Sequence, residues 1–173
     1  MLYKLNNIEY VIRNICERDI EKLLFIKNDR DLHIDRLERL RCGRAAYLAA
    51  FINDCPIGFV EVSFGNKFDV LKFTDNNFCA EMMDLNIIEP LRNLGIGSRL
   101  VYEAEKICME KNITYLGLDV NPKDNPRAKK LYESLGYVAV GDLHLDGIYH
   151  FTDNNGIIGE SEDWCIDMIK KLK

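Results

Sequence analysis

Residues 79–112 restrict the fold more than any other stretch of the chain. An apolar run, Cys79 to Ile88, passes through Glu89-Pro90-Leu91-Arg92-Asn93-Leu94-Gly95-Ile96-Gly97 into a segment with helical spacing of apolar residues. Leu100, Val101, Ala104, Ile107 and Cys108 make one stripe, and Glu103, Glu105, Lys106 and Glu110 cover the rest. The spacing predicts a strand, a glycine turn and an amphipathic helix over 97–112. Such a unit needs a sheet for the helix to cover, which excludes a bundle and a sandwich. The turn also has chemistry. Glycines let a ligand approach the backbone, and amides at a helix N-terminus attract anions. From the glycines alone, an ordinary strand-to-helix turn fits as well.

The flanking sequence extends the pattern. Tyr10 to Ile15 reads as a strand, Glu17 to Asn28 as a helix carrying Ile20, Leu23 and Leu24, and Asp31 to Cys42 as a more polar helix. Ala45 to Phe51 and Ile57 to Phe64 are β-rich runs joined at Asn53-Asp54, a hairpin pair. Gly65 to Asn77 reads as a loop or short edge strand, and Ile113 to Val120 as a buried strand. Asn125-Pro126 opens a helix with the stripe Ala128, Leu131, Tyr132 and Leu135, closed by Gly136. Tyr137 to Val140 begins a strand. Two further β segments follow around turns at Asp146-Gly147 and Asn155-Gly156, ending in Trp164 to Ile169. The expectation is one α/β (α+β) domain over residues 1–173, a mixed sheet flanked by helices.

Composition removes several functions. The 173 residues are 47% hydrophobic and 29% charged, within the globular range. A net charge of −5 and a pI near 5.3 disfavour a nucleic-acid partner. No apolar run reaches the roughly 20 residues of a membrane span. The six cysteines lack C-x-x-C spacing and read as free thiols, and residues 1–10 show no secretion signal, so a cytoplasmic protein is expected. Asp142, His144 and Asp146 alternate along one expected strand, a pattern that is more often a solvated face than a metal site. No metal is expected. Tyr149, Phe151 and Trp164 are expected to pack the last hairpin, with the wall of an acceptor pocket as the other reading.

Three phosphate-binding designs compete for the turn. Gly97-Ser98-Arg99 lacks the G-K-[ST] ending of a P-loop. A dinucleotide fingerprint needs glycine where Leu100 stands, although Asp119 lies near the offset of a ribose-binding acid. The form R-x-x-G-x-G is matched throughout by Arg92-Asn93-Leu94-Gly95-Ile96-Gly97. Here the chain resembles the GNAT superfamily of acetyl-coenzyme-A-dependent N-acetyltransferases. Asn125-Pro126-Arg127-Ala128-Lys129-Lys130-Leu131-Tyr132-Glu133-Ser134-Leu135-Gly136-Tyr137 is similar to that family's N-x-x-A-x-x-L-Y-x-x-x-G-[FY] segment. The likeness covers about residues 45–140. The position after the arginine, commonly glycine, is Asn93, and the loop 121–124 is one residue longer than usual.

The resemblance implies a mixed, mostly antiparallel central sheet and acetyl-CoA as cosubstrate. It implies that amides of Asn93, Leu94, Gly95, Ile96, Gly97 and Ser98, with Arg92, bind the pyrophosphate. The backbone at Leu85 and Ile87 would pair with pantetheine, and Asn125 would contact it besides its reading as a helix N-cap. Tyr132 is implied as the acid that protonates the departing thiolate, over an ordinary core tyrosine. Glu81 is the candidate base. By period-2 counting it shares a strand face with Met83 and Leu85, and Asp84 points the other way. The acceptor would be a primary amine of a small molecule or peptide, and a homodimer is compatible with the family. The alternative is a non-catalytic coenzyme-A sensor or interaction module on the same fold.

Overall fold

The computed structural model describes residues 2–5, 8–152 and 158–172. Its strands are β1 (Leu2–Leu5), β2 (Ile8–Asn14), β3 (Ala45–Ile52), β4 (Cys55–Ser63), β5 (Ala80–Ile87), β6 (Tyr115–Val120), β7 (Val138–Thr152) and β8 (Ile158–Lys171). The helices are α1 (Ile20–Leu23), α2 (Arg30–Arg41), α3 (Ile96–Glu110) and α4 (Pro126–Ser134). All eight strands form one sheet in the order β1-β2-β3-β4-β5-β6-β8-β7. Among the described strands only β5 and β6 run parallel. The expected mixed, mostly antiparallel sheet with flanking helices is observed.

The helices divide the two faces. On one face α3 brings Leu100, Val101, Ala104 and Cys108 against Val60, Val62, Met82, Leu116 and Leu118, and Tyr132 and Tyr137 join this larger core. On the other face α1 and α2 press Ile20, Leu23 and Leu37 onto Tyr47, Ala49, Phe51 and Phe59. Strands β3 and β4 are buried almost throughout because both faces are covered, which explains their unbroken apolar runs.

Several local expectations are corrected. The helix expected over 17–28 is a 3₁₀ turn at Glu17–Asp19 followed by the four-residue α1. Asp19 turns inward to Arg13 there, and the chain folds back after Leu24. Residues 65–77 hold a 3₁₀ stretch, Phe68–Phe73, and no edge strand. Asp146-Gly147 is not a turn. β7 runs on through it with register shifts at Val140/His144 and Leu145/Gly147, and bulges absorb what was read as a reversal. Those shifts also break the alternation of Asp142, His144 and Asp146. Asn155-Gly156 and the Phe151 side chain lie outside the described residues. Tyr149 and Trp164 do not pack the hairpin as a core, being 58% and 45% exposed.

Candidate active site

The site begins where two strands part. β5 and β6 pair only at Ala80↔Leu116 and Glu81↔Gly117. Beyond Glu81 they diverge, so residues 82–87 have β4 on one side and an open wedge on the other. A bulge sits at that point: Glu61 pairs with Met83 and Phe59 with Asn86, leaving Asp84 and Leu85 opposite Val60. Asp84 takes φ +55°, a left-handed conformation that aspartate tolerates better than most residues.

The bulge overturns the expected facing of β5. Leu85 and Ile87 pack towards α3, where a methyl group on Gly97 would lie 3.7 and 3.9 Å from them. Glu81 points to the opposite face, where it meets Lys67. Glu81 and Leu85 therefore do not share a face, because the extra residue shifts the alternation. Asp84 turns to the Glu81 side and meets α2.

On the α3 side the wedge is a cleft of about 540 Å³. Its lining includes Leu85, Ile87, Arg92, Gly95, Asn125 and Arg127, together with Asn93, Gly97 and Ser98. Thus the cofactor residues read from the sequence gather in one place, with Leu94 and Ile96 within the same turn. Asn93 and Gly95 both have positive φ, 62° and 82°, and this double reversal directs the turn into the N-terminus of α3. The amides of Ile96, Gly97 and Ser98 have no intrahelical acceptor by construction, and the helix dipole adds positive potential there. A Cβ on Gly95 would meet only open space, so this face of the turn is bare backbone. These features fit a pyrophosphate. Arg92 donates from Nε to the Ile87 carbonyl at 2.9 Å, tying the turn to the end of β5. Asn125 stands at the N-cap of α4 but makes no side-chain capping bond, and Pro126 fills the first helical position. The capping reading of its side chain is corrected, and the residue faces the cleft.

Tyr132 projects from α4 into the core, 7% exposed and edge-on to Tyr137, and is not among the residues that line the cleft. Burial, and then the charge of Asp84, push its phenol up to about 12. The group stays protonated across the physiological range.

Two charged clusters occupy the face opposite the cleft, and neither was legible in the sequence. At the apex of the wedge Lys67 Nζ lies 3.1 Å from Glu81, 2.8 Å from Asp119 and 3.0 Å from Asp167. Burial alone would lower this lysine's pKa, but Asp119, Glu81 and Asp167 outweigh it and hold it above the ordinary value. Asp119, His144 and Asp167 bring ligand atoms within 4.8 Å of one another. The Lys67 ammonium already supplies the positive charge between the two carboxylates.

The second cluster holds the bulge. Arg36, 5% exposed, places Nε 2.7 Å from Glu61 and Nη1 2.7 Å from Asp84, with its guanidinium over the edge-to-face pair of Tyr47 and Phe59. Lys27 donates to the same Asp84 oxygen at 2.7 Å, and Asn86 donates to the other. Burial would raise Asp84, but Lys27 and Arg36 prevail and hold it below the usual carboxylate range. The one sequence signal for this arrangement was an aspartate inside an apolar strand.

Comparison with known proteins agrees with this geometry. The family model described as the acetyltransferase (GNAT) family matches residues 11–137. The fold is similar to a PaiA N-acetyltransferase from Thermoplasma acidophilum in complex with coenzyme A, at 19% identity, TM-score 0.68, and 94% and 98% coverage of the two chains. It is similar to a ribosomal-protein-alanine N-acetyltransferase from Brucella melitensis at 20% identity, TM-score 0.66, and 93% and 99% coverage. A ribosomal-protein-S18-alanine N-acetyltransferase from Escherichia coli gives 15%, 0.65, and 95% and 94%. No match was found among curated protein sequences. No described helix is long and apolar enough to cross a membrane. With the parted strands, the left-handed turn and a family match over most of its length, the chain belongs to the GNAT acetyltransferase family.

Proposed function

We propose that the protein transfers an acetyl group from acetyl-CoA to a primary amine by direct attack, with no acyl-enzyme intermediate. The observation that carries this reading is the bare-backbone anion turn at the cleft, supported by a buried, protonated Tyr132 on α4, the helix whose Ala128 and Leu131 line that cleft. Acetyl-CoA would supply the thioester. The turn 93–98 would hold the pyrophosphate, with Arg92 and Arg127 adding charge, and the free edge of β5 at Leu85 and Ile87 would align the pantetheine arm as an added strand. Part of that edge is already used, since Arg92 takes the Ile87 carbonyl.

For transfer, the amine nitrogen forms a bond to the thioester carbon, the carbon–sulfur bond breaks, and sulfur leaves with the electron pair. Tyr132 gives its phenolic proton to that sulfur. The amine must lose a proton, and Glu81, at the apex of the wedge and oriented by Lys67, would receive it directly or through water. The buried cysteines take no part: burial pushes Cys79 and Cys108 up to about 12, which keeps them as thiols.

The test is release of free coenzyme A thiol from acetyl-CoA in the presence of a panel of amines. Amine-dependent release with an acetylated product of matching mass is expected. Coenzyme A binding without turnover on any amine would replace this reading with a sensor or interaction module.

A further inference from the structure

The hairpin of β7 and β8 reaches well beyond the sheet. β8 pairs with β6 only from Ile166 onward, whereas it pairs with β7 back to Ile158. Over Ile158–Cys165 the two strands therefore form a ribbon with neither outer edge paired among the described residues. A two-stranded ribbon is marginal by itself in water. This one is also apolar on its surface: Leu143, Leu145, Ile148, Tyr149 and Trp164 are all more than 40% exposed. The cross-strand pairs Leu145↔Trp164, Ile148↔Glu162 and His150↔Glu160 put apolar and acidic side chains on one face.

Its charge is one-sided. Over residues 138–165 there is no lysine or arginine, and there are six aspartates and glutamates. The rest of the chain has 23 basic residues against 22 acidic ones. A two-fold pairing of this ribbon with a second copy would set acid against acid with no lysine or arginine to relieve it. Nucleic acid is repelled for the same reason. The complement of an acidic, apolar, edge-exposed ribbon is a cationic chain with its own apolar side chains, added as a strand.

The ribbon also leads into the site. Asn121 donates one amide to Asp163 on β8 and to Asp124, which lines the cleft. His144 on β7 lies 3.7 Å from Asp167, and Lys67 links Asp167 to Glu81. We propose that the β7–β8 ribbon is the docking surface for a lysine- and arginine-containing polypeptide segment, and that this segment presents the acceptor amine to the wedge. The second half of this statement rests on the acetyl-transfer reading; the first does not.

Trp164 is the chain's single tryptophan and stands on the ribbon, so its fluorescence reports docking without any turnover. The probe is a 12-residue peptide of repeated Lys-Thr-Leu with a free N-terminus, against the same peptide with Glu for Lys, and against spermine. Saturable change in Trp164 emission is expected with the cationic peptide alone. Its Kd should rise about fivefold or more between 50 and 300 mM salt as screening shortens the reach of exposed charges. Glu160→Gln and Glu162→Gln should each weaken binding about two- to fivefold, the scale of an exposed ion pair, with unchanged circular dichroism. Equal response to the acidic peptide, an equal response to spermine, salt-independent binding, or Trp164 protection that grows with protein concentration would overturn the proposal. In turnover, KM for the cationic peptide should be at least about fivefold below that of a neutral peptide, and equal values would also overturn it. Docking that persists in a protein inactive on every amine would remove the acetyl-transfer reading and leave the docking surface standing.

Discussion

Arg36→Met tests whether the buried cluster under the bulge is held by charge. The substitution keeps an apolar stem beside Tyr47 and Phe59 and removes the guanidinium that lies 2.7 Å from both Glu61 and Asp84. Asp84 retains Lys27 at 2.7 Å. Glu61 is fully buried and, among the described residues, retains only Arg39 as an ion-pair partner, 3.2 Å away and itself partly exposed. Breaking a buried pair from one side leaves an uncompensated charge, which costs about 3–5 kcal/mol. A typical domain has about 5–15 kcal/mol in total. The penalty also has a pH signature. Burial raises the Glu61 carboxyl, and Arg36 and Arg39 oppose that rise without cancelling it. Removing Arg36 moves the folded-state value further up. A group whose folded pKa lies above its unfolded one favours the folded state at low pH, and that advantage is lost as pH rises through the folded value. The variant should therefore be penalised more at pH 7 than at pH 5. Urea unfolding followed by circular dichroism at both pH values measures this. The double variant Arg36→Met/Glu61→Gln should recover about 2 kcal/mol of the loss, since neither charge is then stranded. A single-variant loss below about 1 kcal/mol, a penalty equal at the two pH values, or a double variant no better than the single one would refute the argument.

Further outcomes follow from the wedge and its supports. Acetyl-CoA should raise the melting temperature by linkage, and Gly95→Glu or Gly97→Glu should abolish the shift by placing a carboxylate at the anion turn; a retained shift in both would locate the cofactor elsewhere. Tyr132→Phe keeps the ring against Tyr137 and should fold and bind acetyl-CoA normally while kcat falls about ten- to a thousandfold; wild-type turnover would make Tyr132 a core residue only. Glu81→Gln should lower kcat/KM and move the acidic limb of the pH–rate profile, whereas a lowered rate with an unmoved limb would mean that the residue acts through Lys67 or substrate charge. Burial would raise Asp19, but the paired bonds from Arg13 and the Cys16 amide hold it well below the ordinary range. Its contribution is present above the unfolded carboxyl value near pH 4 and fades as pH falls, so Asp19→Asn should cost about 1–3 kcal/mol at pH 7 and progressively less below about pH 4.

What the sequence determined by itself was local in origin. The stripe from Leu100 to Cys108, the Asn125-Pro126 start and the glycines at 95 and 97 all act over a few residues, so their helices and the anion turn could be read directly. The motif residues from Arg92 to Ser98 are close in sequence, and they remain close in the folded site. What depended on distant partners was decided by the tertiary structure. The facing of Glu81 and Asp84 turns on one extra residue opposite Val60, which no period-2 count contains. Lys67 finds Asp119 and Asp167 across 52 and 100 residues of chain because the sheet order sets β6 beside β5 and β8 beside β6. The reversal expected at Asp146-Gly147 became a bulge because a strand paired with β8 on one side can absorb turn residues without ending. Turn chemistry is written in neighbouring residues. Register, burial and ion pairing are set by whichever strand lies alongside, and only the closed sheet specifies that neighbour.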